Sequence, residues 1–381
     1  MIRTSTIYCM IILSTFFLSA CWDSQELNDR AIELGWGIDD AMNNKIQISS
    51  QVVIPSKIGG KGEGGGGSQG KSFLVATGIG KDTLEAVQKM QAKLSRKIFR
   101  GQRRVIVIGE QLARKGIKDI LDTYTRDPSI NLLADIFVVK GNTAKSFLQT
   151  SYPLENIPSV GALKEYNQIG ATKEVSFLNF LLSANSDGRC PIMPVVSTDG
   201  KKGFQMAGNG IFNKDLKLIG FLNADEGKIL RWITGDLQNT IVTSTIPNGN
   251  GTVSLDLNTV NSKIQPMTLN NKIKILVTLT GQGTIRENNT GFDLTDVKNI
   301  ALVQNTLDQQ AEKDVLRTIT KVQKVYGTDI FGFGDAIKRK NLQQWNSLKK
   351  NWSKEFSEVE VTVKADLTVR KIGVTGPSLI Q

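Results

Sequence analysis

The chain has 381 residues, 47 Lys and Arg against 36 Asp and Glu, no histidine, and a formal net charge of +11 at pH 7. Hydrophobic residues at 40% and charged residues at 22% place it among folded globular proteins and exclude a disordered polymer. The missing histidine excludes Ser-His, Cys-His and Asp-His catalytic pairs, histidine metal ligands and the ordinary pH switch near neutrality. At this length roughly two or three domains are expected.

Met1 to Thr6 carries one charge, Arg3; Ile7 to Ala20 carries none, and Asp23 and Glu26 follow soon after. The apolar stretch is too short to span a bilayer comfortably, for which about 20 residues are needed. It ends in Leu18-Ser19-Ala20-Cys21, small residues before a cysteine. This predicts a lipoprotein signal peptide over 1–20, cleavage between Ala20 and Cys21, and lipid on Cys21, whose nucleophilic sulfur accepts the diacylglycerol before the peptide is cut. An uncleaved anchor or an ordinary signal peptide are the alternatives. On the lipoprotein reading Cys9 is lost and Cys190 is left as the single thiol, so no intrachain disulfide forms. Two or more acyl chains hold firmly where one is reversible. No later stretch approaches 18 uncharged apolar residues, so nothing else is expected to span a membrane.

Residues 31–38 and 45–54 read as a hairpin around Asp39 to Asn44. A glycine-rich loop over 59–70 follows, with little to pack. Phe73 to Thr77 is strand-like. Asp82, with Glu85 three residues on, starts a helix whose period includes Leu84, Val87, Met90, Gln91, Leu94 and Ile98. Val105 to Ile108 is a buried strand, Leu112 to Tyr124 a helix and Ile136 to Val139 a strand, an alternation that favours βαβ-type packing. Short helices are expected at 143–150, 159–168 and 175–184.

Turn residues from Asp187 to Lys202 suggest a boundary near residue 200, dividing an N-terminal α/β domain (21–200) from a C-terminal α+β domain (201–381), with a further split near 290. Beyond it come a hairpin (204–212 and 216–221), a helix (224–234) and strands at 239–245, 252–264 and 271–285. From Thr295 to Tyr326 apolar residues recur every three or four positions, predicting a long helix packed within the chain, with a coiled-coil face as the alternative. A helix over 335–349 and an alternating strand over 359–369 close the chain. The fold class is α+β: multidomain mixed sheets and helices, the C-terminal part having a long helix on an antiparallel or mixed sheet.

Candidate chemistry is thin. Thr77-Gly78-Ile79-Gly80-Lys81 sits where phosphates are often held, but Val75, Asp82 and Thr83 break the P-loop and dinucleotide patterns, leaving a close helix-capping turn. Ser68-x-x-Lys71 and Ser347-x-x-Lys350 lack the helix-start context of a Ser-Lys acylase. Cys190 has no histidine to activate it. No calcium-loop or zinc spacing is present, so no metal and no cofactor are expected. Two basic clusters stand out: Arg96, Lys97, Arg100, Arg103 and Arg104, and Lys338, Arg339, Lys340, Lys349, Lys350 and Lys354. On an exported protein these would face anionic lipid, an acidic partner or solvent rather than nucleic acid.

Four stretches in order resemble the GerC (GerAC-type) family of spore germination lipoproteins: Cys21 to Ala31 (CWDSQELNDRA); Gly208 to Phe212 with Leu218 to Leu222; Gln323 to Gly334 (QKVYGTDIFGFG); and Trp345, Trp352 and Phe356 before the last strand. The glycine-rich loop departs from the family pattern. The resemblance implies the C subunit of a nutrient germinant receptor: a non-enzymatic lipoprotein, N-palmitoyl and S-diacylglycerol modified at Cys21. It would sit on the extracytoplasmic face of the spore inner membrane or cell membrane and assemble with integral A- and B-type subunits. A transporter's solute-binding lipoprotein and a membrane-tethered hydrolase are the other readings; the second lacks a nucleophile with its base.

Overall fold

The fold is that of a computed structural model describing residues 30–55, 71–127, 130–152, 154–170, 175–198, 203–247, 249–269 and 272–373. Cys21, the glycine-rich stretch 59–70 and Ser68 lie outside the described residues. Two mixed sheets organise the chain, as the α+β reading expected.

In the first sheet β1 (Arg30–Ala41), β2 (Lys45–Val53) and β3 (Phe73–Gly80) form an antiparallel meander. β1 also pairs in parallel with β4 (Lys97–Phe99) and β5 (Val105–Gly109); β6 (Asp135–Lys140) and β7 (Ile192–Thr198) continue the parallel run. β8 (Phe204–Phe212) and β9 (Leu218–Leu222) finish it antiparallel. Every residue from Val105 to Ile108 is buried, because helices cover both faces of these parallel strands. One face packs Trp36, Ile38, Met90, Ile106 and Leu121; the other packs Val105, Val107, Phe137, Phe147 and Leu148.

Helix α1 (Thr83–Gln91) starts as its sequence predicts: Asp82 accepts the Glu85 N–H at 2.8 Å, and Glu85 accepts the Lys81 N–H at 2.6 Å. It stops at Gln91, and Ile98 belongs to β4, so the helical period does not reach 98. The helix lies directly on β3; a Cβ on Gly78 would stand 2.0 Å from the Ala86 carbonyl oxygen. The TGIGK glycines therefore serve close strand–helix packing. The helix expected over 112–124 is two, α2 (Glu110–Lys115) and α3 (Lys118–Thr125). They break at Gly116 (φ 119°), after which Ile117 donates to Leu216 O on a neighbouring loop at 3.1 Å. α4 (Ala144–Gln149), α5 (Pro158–Gln168) and α6 (Phe177–Ala184) match their expected spans closely.

After α7 (Ala224–Thr234), the second sheet pairs β10 (Thr240–Ile246), β11 (Gly251–Leu269) and β12 (Lys272–Asn288) antiparallel, with β13 (Glu360–Lys371) parallel to β12. The long helix α8 (Val297–Lys321) buries Val303, Leu307, Ala311, Val315 and Ile319 against this sheet, so the apolar period serves intramolecular packing. It runs into a π-helical turn, Val322–Tyr326, and ends at Gly327 in the left-handed region (φ 57°). The expected helix over 335–349 is instead α9 (Phe333–Lys340) and α10 (Leu342–Leu348), followed by α11 (Trp352–Glu358). Asn341 makes the break by capping α10, its side chain accepting the Gln344 N–H at 3.0 Å.

Candidate functional site at the junction of the two sheets

The stretch QKVYGTDIFGFG folds into a buried polar knot around Asp329. Asp329, 3% exposed, takes five hydrogen bonds on one carboxylate. Oδ1 accepts from the N–H groups of Phe331, Gly332 and Phe333 at 3.0, 2.8 and 3.3 Å; Oδ2 accepts from Gly334 N–H at 2.8 Å and Trp352 Nε1 at 3.0 Å. Burial pushes this carboxyl up to about 6, while the five donors favour the anion. The carboxylate form of Asp329 is stabilised by peptide dipoles and an indole rather than by an ion pair with any described residue.

The same turn ties down residues of the first sheet's last crossover. Cys190 N–H donates to Asp329 O at 2.6 Å, and Ser186 Oγ donates to Asp335 Oδ1 at 2.7 Å. Gly188 and Gly334 allow the two backbones to touch: a Cβ on Gly334 would lie 2.6 Å from Gly188 O. One turn away, Tyr326 donates its hydroxyl to Phe221 O at 3.1 Å, over Gly220, whose added Cβ would meet the ring at 2.1 Å. Gln323 Nε2 donates to Phe356 O and Val359 O at 2.8 and 2.9 Å. Phe331, Phe333, Trp345, Trp352 and Phe356 pack around the knot. Residues from 218–222, from 323–334 and Trp352 and Phe356, far apart in sequence, therefore meet in one place.

The remaining sequence candidates separate clearly. Cys190 is buried, and burial pushes its thiol up to about 11, far from a reactive thiolate. Ser347 donates to Gln344 O at 2.7 Å in the manner of an ordinary helix serine. Within the first basic cluster, Arg103 is no surface charge: it is 1% exposed, with Nε 2.6 Å from Glu33 Oε1 and its guanidinium 4.1 Å from the Trp36 ring centre. Ser50 donates to the other Glu33 oxygen at 2.6 Å, and Trp36 Nε1 donates to the Tyr124 hydroxyl. Sequence reasoning missed this buried pair; the signal available was Glu33 inside an apolar strand. Arg100 is bound to Asp127 at 2.8 Å, while Arg96, Lys97 and Arg104 are exposed. The cations of the second cluster are exposed, Lys340 also donating to Pro266 O at 2.6 Å.

Among the described residues no group of three or more His, Cys, Asp or Glu is placed to hold a metal, and no helix is long and apolar enough to cross a membrane. The buried Asp329 and Glu33–Arg103 clusters each join separate elements of a two-sheet α+β scaffold. Comparison with known proteins gives that scaffold its family. Residues 23–198 match the spore germination protein N-terminal domain, and residues 207–373 match the spore germination B3/GerAC-like C-terminal domain. Spore germination protein KC of Bacillus subtilis is 28% identical over 396 residues, covering 98% of this chain and 97% of the relative. A second Bacillus subtilis spore germination protein, YfkR, is 30% identical over 379 residues, covering 97% of each. The crystal structure of the GerBC protein superposes with a TM-score of 0.61 at 20% identity, over 91% of this chain and 100% of that one, and shows the shared fold. The chain belongs to the GerAC-type family of spore germination proteins.

Proposed function

We propose that this protein is the lipid-anchored C-type subunit of a spore germinant receptor. It acts without catalysis, as a rigid body that assembles with integral A- and B-type subunits at the outer face of the spore inner membrane and lets nutrients trigger germination. The observation that carries this reading is the end-to-end match to proteins named for spore germination, over 97% of both chains at 30% identity. Supporting it are the Leu18-Ser19-Ala20-Cys21 sequence, which would supply the anchor, and a junction whose polar groups hold elements together instead of reaching a substrate. The domain arrangement 21–200 and 201–381 belongs to the same proposal, with β8 and β9 of the second part completing the first part's sheet, so that the two parts act as one unit. A diacylated, N-acylated Cys21 would keep the body at high effective concentration beside the integral subunits. The test is Cys21→Ala in sporulating cells: the variant should leave the membrane fraction, and germination through its receptor should fall. Full retention in a salt-washed membrane pellet would contradict the anchor.

A further inference from the structure

The end of the first sheet where β1, β4 and β5 begin carries a charged surface that the other described residues leave uncovered. Residues 93–104 contain Lys93, Arg96, Lys97, Arg100, Arg103 and Arg104 and no acidic residue. Three of these are spoken for: Arg100 by Asp127, Arg103 by Glu33 and Lys93 by the Thr77 carbonyl. Arg96, Lys97 and Arg104 are exposed and, among the described residues, have no carboxylate in ion-pair reach. Beside them an open groove of about 1040 Å³ runs between α1 and β4, with Leu84, Val87, Leu94 and Ile98 on its walls. Leu84 is 69% exposed at its lip. An apolar trough with a cationic rim suits an anionic, amphiphilic surface.

Position selects the occupant. Arg30, the first described residue, pairs with Lys97 across β1 and β4, and its guanidinium lies 4.6 Å from the Phe99 ring centre. Cys21 is nine residues earlier, about 30 Å at full extension. A lipid on Cys21 therefore brings this end of the sheet against the bilayer. We infer that this end is a membrane-contact face: Arg96, Lys97 and Arg104 engage anionic lipid phosphates, and Leu84 dips to the acyl boundary, fixing the orientation of the body. The inference rests on the anchored-subunit reading for its geometry, and its test does not use the anchor.

The test is sedimentation of the purified, unlipidated chain beginning at Trp22 with vesicles of phosphatidylglycerol and phosphatidylcholine, compared with phosphatidylcholine alone. The parent should bind the anionic vesicles and lose binding as salt rises. Arg96→Glu/Lys97→Glu/Arg104→Glu should lower the partition coefficient at least about a hundredfold, about fivefold for each cation lost, with the added carboxylates repelling the anionic surface further. Leu84→Gln should lower it several-fold, and Lys338→Glu/Arg339→Glu/Lys349→Glu should leave it within about twofold. All these positions are exposed, so unchanged thermal unfolding is expected and confirms intact variants. Equal binding to both vesicle types, or a triple variant that binds like the parent, would overturn the inference. So would a triple variant that keeps its vesicle binding but loses membrane subunits in detergent, which would make an acidic protein the occupant. Failure here leaves Cys21 anchoring untouched, and failure of anchoring leaves this vesicle binding unchanged.

Discussion

Asp308 on α8 accepts the backbone N–H of Leu367 on β13 at 2.8 Å. It is the middle rung of a ladder: Gln304 accepts from Val369 at 3.3 Å and Glu312 from Ala365 at 2.9 Å. The helix spacing of four residues matches the strand spacing of two, so three side chains on one helical stripe satisfy three donors on one strand edge. β13 is the last strand of its sheet, and an exposed edge of this kind invites pairing with another chain. Asp308→Ala should cost about 1–2 kcal/mol, the effect of leaving one part-buried donor unmade, as read by urea unfolding. Asp308→Ala/Glu312→Ala should add concentration-dependent aggregation; a double variant as soluble as the parent would remove the edge-protection role.

The ladder has a pH signature. Burial, with Asp366 and Glu312 nearby adding repulsion, pushes the Asp308 carboxyl up to about 6. A folded-state value above the unfolded one means the fold holds this proton more tightly. The stabilisation is therefore full below about pH 4 and is lost as pH rises through 6. Asp308→Asn keeps the acceptor and removes the charge. Relative to the parent it should gain about 1 kcal/mol between pH 4 and pH 7, discounted because the carboxylate is only part-buried. A parent–variant difference that is flat with pH would show that Asp308 does not titrate in that window.

Asp329 should be the least replaceable polar residue. Asp329→Ala strands four backbone donors and the Trp352 indole, and a loss of more than about 4 kcal/mol is expected, enough to lower spore levels of the protein. Asp329→Asn faces its amide toward Gly334 N–H and Trp352 Nε1, two donors it cannot accept, for about 2 kcal/mol. Trp352→Phe, which removes one of the five bonds, should cost about 1 kcal/mol. The expected order of unfolding midpoints is parent, Trp352→Phe, Asp329→Asn, Asp329→Ala.

The buried Glu33–Arg103 pair should behave non-additively. Removing either partner alone leaves a buried charge, so Glu33→Leu and Arg103→Met should each cost about 3–5 kcal/mol. The double variant should recover most of that loss, giving a coupling energy of at least about 2 kcal/mol in a double-mutant cycle. Additive losses would mean the two charges are solvated independently.

Local signals were legible where local physics decides. The Asp82–Glu85 cap, the alternation of β13 and the apolar stripe from Val303 to Ile319 all carry their structure in a few neighbouring residues. The misses are decided at long range. Leu112 to Tyr124 keeps a helical period, yet Gly116 breaks it so that Ile117 can donate to Leu216. Arg103 reads as one of five surface cations until β1 brings Glu33 and Trp36 beneath it. The Asp329 knot was half visible: an aspartate ahead of Phe-Gly-Phe-Gly is able to fold its carboxylate over the following N–H groups. Its tie to Trp352 and to Cys190 was not visible, because those partners come from separate elements.

Membership of a membrane-held receptor complex is checked by affinity purification of the tagged protein from spore inner membranes in mild detergent. Two integral membrane subunits should be recovered with it in near-equal amounts, through washes at high salt. Recovery of a transporter permease in their place, or of the chain alone, would contradict that membership.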